Sequence, residues 1–179
     1  MLRTSRLLLR QWRESDLAPC AAMNADPRVM EFMPKPLSRA ECVAMVHRLR
    51  IHIEECGWGI WAVEAPGVSD FVGSVGLGRP RFETHFTPCV EIAWRLCAQY
   101  WGYGYATEAA RSALAFAFET LGLPEIVAFT VPANRRSWRV MERVGLVRDI
   151  SGDFDHPSLP EGHALRRHVL YRGRAPSPM

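Results

Sequence analysis

The spacing of apolar and polar positions changes period several times along the chain. Residues 4–10 (TSRLLLR) have strand character and lead into a turn-like Arg13-Glu14-Ser15. Ser15 is placed to cap a helix over residues 16–25, with Pro19 tolerated in its first turn, and Asp26-Pro27 ends it. Pro34 and Pro36 mark a loop. Ser38 and Glu41 form an S-x-x-E capping box that opens a helix reaching Cys56. On that helix Cys42, Val46, Leu49 and Ile53 recur on one face, and Gly57 is suited to its C-terminal stop.

The period then shortens to two. Residues 59–64 (GIWAVE) and 71–77 (FVGSVGL) predict two strands around a Pro66-Gly67 turn, and residues 79–88 a loop. Residues 90–96 give the clearest strand: Val90, Ile92, Trp94 and Leu96 alternate with Glu91, Ala93 and Arg95. A helix is expected from Tyr105 to Leu121, stopped by Gly122 and Pro124. The unbroken apolar run 126–131 (IVAFTV) suits a buried central strand. Asn134 caps a helix to Val144, closed by Gly145. Residues 147–154 and 168–171 predict a final strand pair, joined by a long polar loop over 155–167. The order is mixed α/β. A right-handed strand–helix–strand crossover over residues 90–131 makes those two strands parallel.

Composition narrows the class. The 179 residues are 48% hydrophobic and 23% charged, as in an ordinary folded domain, so one domain over residues 1–174 is expected, with a disordered tail over 175–179. The net charge of +3 is too small for nucleic-acid binding through bulk electrostatics. Lys35 is the sole lysine, so nearly all positive charge is arginine. The five cysteines (Cys20, Cys42, Cys56, Cys89, Cys97) contain no CxxC pair, which disfavours a disulfide framework or a zinc site and points to a reducing cytoplasm. No targeting segment is read at the N-terminus, and the longest charge-free apolar run, 113–118, is far too short to span a membrane. Monomer and homodimer both stay open.

The densest chemistry lies in Gln99-Tyr100-Trp101-Gly102-Tyr103-Gly104-Tyr105-Ala106. A strand feeds a loop with two glycines, and the loop feeds a helix. The first helical turn offers free N–H groups and the positive end of the dipole, while glycine lets the backbone approach a phosphate. A Rossmann fingerprint would need a third glycine at Thr107, and a P-loop would need a G-K-[ST] lysine; both are absent. A ligand-free glycine turn is the alternative.

Gln99-x-x-Gly102-x-Gly104-x-Ala106, directly after Val90-x-Ile92, resembles the acetyl-CoA pyrophosphate motif of the GNAT superfamily of N-acetyltransferases. Asn134-x-x-Ser137 before Val144-Gly145-Leu146 is similar to a second cofactor motif of that family. Thr4-x-Arg6-Leu7-x-Leu9-Arg10 is similar to the opening of its RimJ/RimL branch, which acetylates protein N-terminal amines. The resemblance runs from Leu2 to about Arg172. It implies a mostly antiparallel twisted sheet with one splayed parallel pair, flanked by about four helices, and transfer of an acetyl group from acetyl-CoA to a primary amine without a metal.

By that resemblance the pantetheine arm enters between residues 90–96 and 126–131, with backbone contacts from Leu96 and Cys97 and an oxyanion donor from the backbone near Trp94 to Leu96. Gln99, Gly102, Tyr103, Gly104, Tyr105 and Ala106 wrap the pyrophosphate, and the Asn134 side chain reaches a cofactor amide. An amine with a pKa near 8 or about 10 is mostly protonated at pH 7 and must lose a proton before attack. Glu91 is the candidate water-mediated base, and Ser137 the donor assisting the departing thiolate. A solvated charge for Glu91 and plain helix-start chemistry for Ser137 are the alternatives. The family's usual tyrosine acid is missing from this helix, which carries Trp138. Arg135, Arg136, Arg139 and Arg143 read chiefly as a solvated helix face, with one of them meeting a cofactor phosphate as the alternative. Met33 through Leu37 on one side and residues 155–167 on the other are the expected acceptor walls; Met33, Asp153, Asp155 and His156 are the candidate acceptor-binding residues, with an exposed polar turn as the alternative for residues 153–156. The acceptor is a protein N-terminal α-amine or a small-molecule or antibiotic amine. A non-catalytic acyl-CoA sensor and an RNA-associated protein are the competing functions.

Overall fold

The computed structural model describes residues 1–175, so all but the first residue of the expected tail lies outside the described residues. The elements run β1 (Leu2–Arg3), β2 (Leu8–Arg10), α1 (Leu17–Ala25), α2 (Pro27–Met30), α3 (Arg39–Cys56), β3 (Ile60–Ala65), β4 (Ser69–Gly78), β5 (Glu91–Leu96), α4 (Tyr105–Ala115), β6 (Glu125–Thr130), α5 (Arg135–Arg143), β7 (Val147–Asp155) and β8 (Arg167–Arg174). The chain divides into two compact units. One holds residues 1–77 and 93–113; the other holds 78–92 and 114 onward, so β5 contributes to both.

In the first unit β1, β2, β3 and β4 pair antiparallel in sequence order. Strand β5 follows β4, with the Cys97 N–H donating to the Val72 carbonyl at 3.0 Å. Gly73 makes that approach possible. It sits at φ +149, and a Cβ there would lie 2.3 Å from the Arg95 carbonyl oxygen. Trp12, Cys20, Met23, Val46, Ala62 and Phe71 form this unit's core, with Leu49 and Ile53 of α3 packed against them. The apolar stripe read on residues 42–53 is therefore the one that α3 buries. Its ends are as expected: Ser38 and Glu41 exchange a capping box, and Gly57 closes the helix at φ +77.

In the second unit β6 pairs antiparallel with β8, and β8 with β7. Strand β6 is parallel to β5 at the register pair Glu91↔Val127, where the Val127 N–H donates to the Val90 carbonyl at 3.0 Å. Phe86, Val127, Phe154 and Leu170 form this unit's core, flanked by Phe82, Cys89 and Phe129. The fold is thus mixed α/β, mostly antiparallel, with one parallel pair.

Three local expectations are corrected. Residues 4–10 are not one strand: the chain turns between β1 and β2, where the Thr4 N–H donates to the Leu7 carbonyl at 2.9 Å. Ser15 does not cap α1. A 3-10 turn over Glu14–Asp16 precedes that helix, and the Asp16 carboxylate accepts the Arg13 N–H at 2.7 Å. The helix from Tyr105 does not stay α-helical to Leu121, because Phe116–Thr120 widens into a π turn before Gly122.

The Arg10 guanidinium, 3% exposed, is bidentate on Asp16 at 2.8 and 2.9 Å, and its Nε donates to Glu64 at 2.7 Å. Breaking a buried ion pair from one side strands a charge. Asp16→Asn is expected to cost about 3–5 kcal/mol in urea unfolding, and a loss below about 1 kcal/mol would show that Glu64 alone suffices for Arg10.

Candidate active site

The glycine loop lies in the first unit. Gly102 and Gly104 adopt φ +85 and +83, and Gly102, Tyr103 and Gly104 are all exposed, as is Gln99. A side chain at either glycine would be strained by its backbone alone. Helix α4 begins immediately after, its first intrahelical bond running from the Glu108 N–H to the Gly104 carbonyl at 3.0 Å. The N–H groups ahead of Glu108 therefore have no partner within the helix and face the loop. Tyr105 is buried and stacks with Tyr103 at 5.8 Å between ring centroids. An exposed, glycine-lined cradle on a helix N-terminus fits a pyrophosphate.

Glu108 escaped the reading of the sequence. Its carboxylate accepts from Thr4 Oγ1 at 2.6 Å, Ser5 Oγ at 3.1 Å, the Arg6 N–H at 2.9 Å and Arg6 Nε at 2.7 Å. These donors outweigh burial and hold its pKa below the ordinary range. The Thr4-Ser5-Arg6 turn thus clasps the first turn of α4. It also leaves the Arg6 guanidinium over the Tyr105 ring at 5.0 Å, with one nitrogen 3.5 Å from where a Gly104 Cβ would lie. The acid one turn after Gly104 and the basic T-x-R opening are a hundred residues apart, so no periodicity links them.

On β5, both backbone groups of Cys97 are engaged: its N–H donates to Val72 and its carbonyl accepts from Tyr100 at 2.9 Å. The Leu96 carbonyl accepts the Trp101 indole N–H at 2.9 Å. The Cys97 N–H is therefore engaged within the unit, while its carbonyl keeps a second lone pair.

In the second unit, Glu91 is half-buried and makes no hydrogen bond or ion pair among the described residues. Burial alone pushes its carboxyl up to about 7. A carboxyl poised there exchanges protons at neutral pH, as a general base must. Ser137 lies in the first turn of α5. Asn134 Oδ1 accepts the Ser137 N–H at 3.2 Å as the cap, while Asn134 Nδ2 donates to Thr130 Oγ1 at 3.0 Å and to Ser137 Oγ at 3.2 Å. The Ser137 oxygen thus already accepts, and its own proton is left to donate. Arg135 stacks over Trp138 at 4.1 Å.

The Asp153–His156 stretch divides. Asp153 is bidentate on Arg148 at 2.5 and 2.7 Å and also accepts the Leu170 N–H, so its charge is spent inside the unit. Asp155 is exposed, 3.4 Å from Arg167 and 3.6 Å from Arg166. His156 packs on Phe82 at 4.4 Å and His168 at 5.2 Å, and burial lowers the pKa of both histidines. His156 Nδ1 accepts the Ser158 N–H at 3.3 Å, so the neutral ring carries its proton on Nε2. Met33, in the first unit, is 37% exposed and accepts a contact from Arg95 at 3.3 Å. No helix among the described residues is long and apolar enough to cross a membrane.

Comparison with known proteins assigns this arrangement. The sequence model described as the acetyltransferase (GNAT) domain matches residues 6–147. The FsC-acetyl coenzyme A-N(2)-transacetylase of Aspergillus fumigatus is 31% identical over 170 residues, spanning 87% of this chain and 71% of that one. Among solved structures, the acetyltransferase (GNAT family) from Bacillus anthracis has a TM-score of 0.79 at 26% identity over 97% of both chains. The acetyltransferase from Agrobacterium tumefaciens has a TM-score of 0.77 at 29% identity, over 97% of this chain and 93% of that one. The chain therefore belongs to the GNAT family and is an acetyl-CoA-dependent acetyltransferase.

Proposed function

We propose that the protein transfers the acetyl group of acetyl-CoA directly to a primary amine, as a member of the RimJ/RimL-like branch, with Glu91 as base and Ser137 assisting the thiolate. The reading rests above all on Glu91: an unpaired carboxyl raised to about 7 on the strand that leads into the glycine loop. Supporting it, the Thr4-Ser5-Arg6 opening is tied to Glu108 of α4, which gives that branch signature a physical task at the pyrophosphate loop. The Aspergillus relative is named for acetylation at a nitrogen from acetyl coenzyme A.

The chemistry assigns a task to each residue. The cradle of Gly102 to Ala106 holds the pyrophosphate, and the Trp94–Leu96 backbone receives the carbonyl whose oxygen becomes anionic during attack. Glu91, through a water, takes the amine proton as the C–N bond forms and the C–S bond breaks. Ser137 donates a hydrogen bond to the sulfur as it leaves. Its oxygen is held by Asn134 Nδ2, so its remaining proton points away from that partner.

Acetyl-CoA is expected to raise the Tm, and a panel of peptide N-termini and small amines to release free thiol with at least one acceptor. Ser137→Ala is expected to keep the full acetyl-CoA shift while kcat falls about 10-fold, the loss of one hydrogen bond to a charged group of about 1.5 kcal/mol. A wild-type protein that binds acetyl-CoA yet transfers to no amine would make it a sensor instead. No stabilisation by acetyl-CoA would remove the reading altogether.

A further inference from the structure

Arg95 lies next to the C-terminal end of β5, between the two residues whose backbone faces the thioester in the proposed reaction. Its Nη1 donates to Asn24 Oδ1 at 2.5 Å and its Nη2 to Met33 Sδ at 3.3 Å. Among the described residues no carboxylate pairs with it. Arg95 is partly buried, and an arginine drawn partly out of water is ordinarily matched by a carboxylate, because neutral groups offset its desolvation poorly. Here burial pulls the guanidinium pKa below its ordinary value, and only the Cys20 and Cys42 thiols, with no carboxylate, act against it.

The surroundings are built, not incidental. Asn24 is fully buried, and its amide nitrogen is fixed by the Cys20 carbonyl at 2.9 Å, which turns Oδ1 toward Arg95. The Asn24 carbonyl in turn accepts the Leu37 N–H at 3.1 Å. One asparagine therefore ties Arg95 to the 33–37 segment, the expected acceptor wall. The Met33 thioether is a weak acceptor on a half-exposed side chain, one that an anionic oxygen displaces readily. Two of the five guanidinium N–H groups are used and three remain.

We propose that Arg95 binds an anionic oxygen group of the acetyl acceptor, so that the enzyme acts on amines that carry a carboxylate or phosphate near the nitrogen, as free amino acids do. Gripping that group from the C-terminal end of β5 would hold the amine beside the carbonyl at Trp94–Leu96. The inference rests on the acetyltransferase reading for its consequence, though the anion site itself does not depend on it.

The test uses matched acceptor sets with wild type, Arg95→Gln and Arg95→Lys: an amino acid, its amide and its decarboxylated amine, beside phosphoethanolamine and ethanolamine. The acid is expected to be preferred over the amide by about 30- to 100-fold in kcat/KM. Arg95→Gln is expected to erase that ratio while leaving the amide's kcat/KM within about 3-fold, and Arg95→Lys to restore part of it. The phosphate pair shows which anion is favoured. Equal use of acid and amide by wild type overturns the proposal, even if Arg95→Gln fails to fold. So does a variant that slows both acceptors alike, which marks Arg95 as structural. Calorimetric titration of the N-acetylated acid and its amide into wild type and Arg95→Gln reads the anion site without turnover. Absence of Arg95-dependent binding there overturns the proposal whether or not acetyl-CoA binds, and stabilisation by acetyl-CoA alone judges the broader reading.

Discussion

Replacing Glu91 by glutamine is expected to lower kcat by about 10²- to 10⁴-fold, the usual contribution of a positioned base. The shape is isosteric, so acetyl-CoA should bind as before. The pH profile carries the sharper signature. In wild type, kcat/KM is expected to rise as Glu91 deprotonates through about 7, below the inflection of the amine itself. Glu91→Gln should lose the lower inflection and keep the upper one. An unchanged kcat and profile would remove Glu91 from the chemistry.

The same carboxyl makes a stability prediction of opposite sign. Its folded-state pKa lies above the ordinary 4.5, so between 4.5 and about 7 the folded chain binds more protons than the unfolded one. Stability from this group is then undiminished below 4.5 and is lost as pH rises through 7. Glutamine bears no such cost, so the variant should match wild type at pH 4.5 and exceed it at pH 8 by up to about 3 kcal/mol in urea unfolding. A base held in its uncharged form by burial trades stability for reactivity, and the two measurements should move in opposite directions.

The second large effect belongs to Gly104→Val. The position has φ +83, and the one heavy atom near its added Cβ is an Arg6 nitrogen at 3.5 Å, an ordinary contact. The folding cost is therefore mainly left-handed backbone strain, about 1–2 kcal/mol, or a Tm loss of about 2–8 °C. The new methyls stand on the exposed face of the cradle, where a pyrophosphate must meet N–H groups. Acetyl-CoA affinity is expected to fall about 100-fold or more, and the stabilisation by acetyl-CoA to disappear. Wild-type affinity in the folded variant would place the phosphates elsewhere.

Much of this architecture was written locally. The capping box of Ser38 and Glu41, the stop at Gly57, the cap at Asn134 and the alternation along β5 each depend on neighbours within a few residues, so a sequence displays them directly. The two positive-φ glycines before α4 belong with them, since loop and helix start are contiguous. The break between β1 and β2 did not show, because Thr4 turns there to meet a carboxylate at position 108.

The chain's own order of residues determined the family, the strand–loop–helix cradle and the identity of Glu91 as an acid on the cofactor strand. Tertiary structure decided which charges are spent and which are held ready. Asp153 looked as available as Glu91, yet Arg148 neutralises the first while burial without a partner raises the second. Cys97 bonds through its backbone to Val72 and Tyr100, and Arg95 acquired neutral ligands where a carboxylate would be usual. The reason is physical: hydrogen-bond periodicity is a short-range property of the backbone, whereas desolvation and pairing depend on what distant segments bring within a few ångströms.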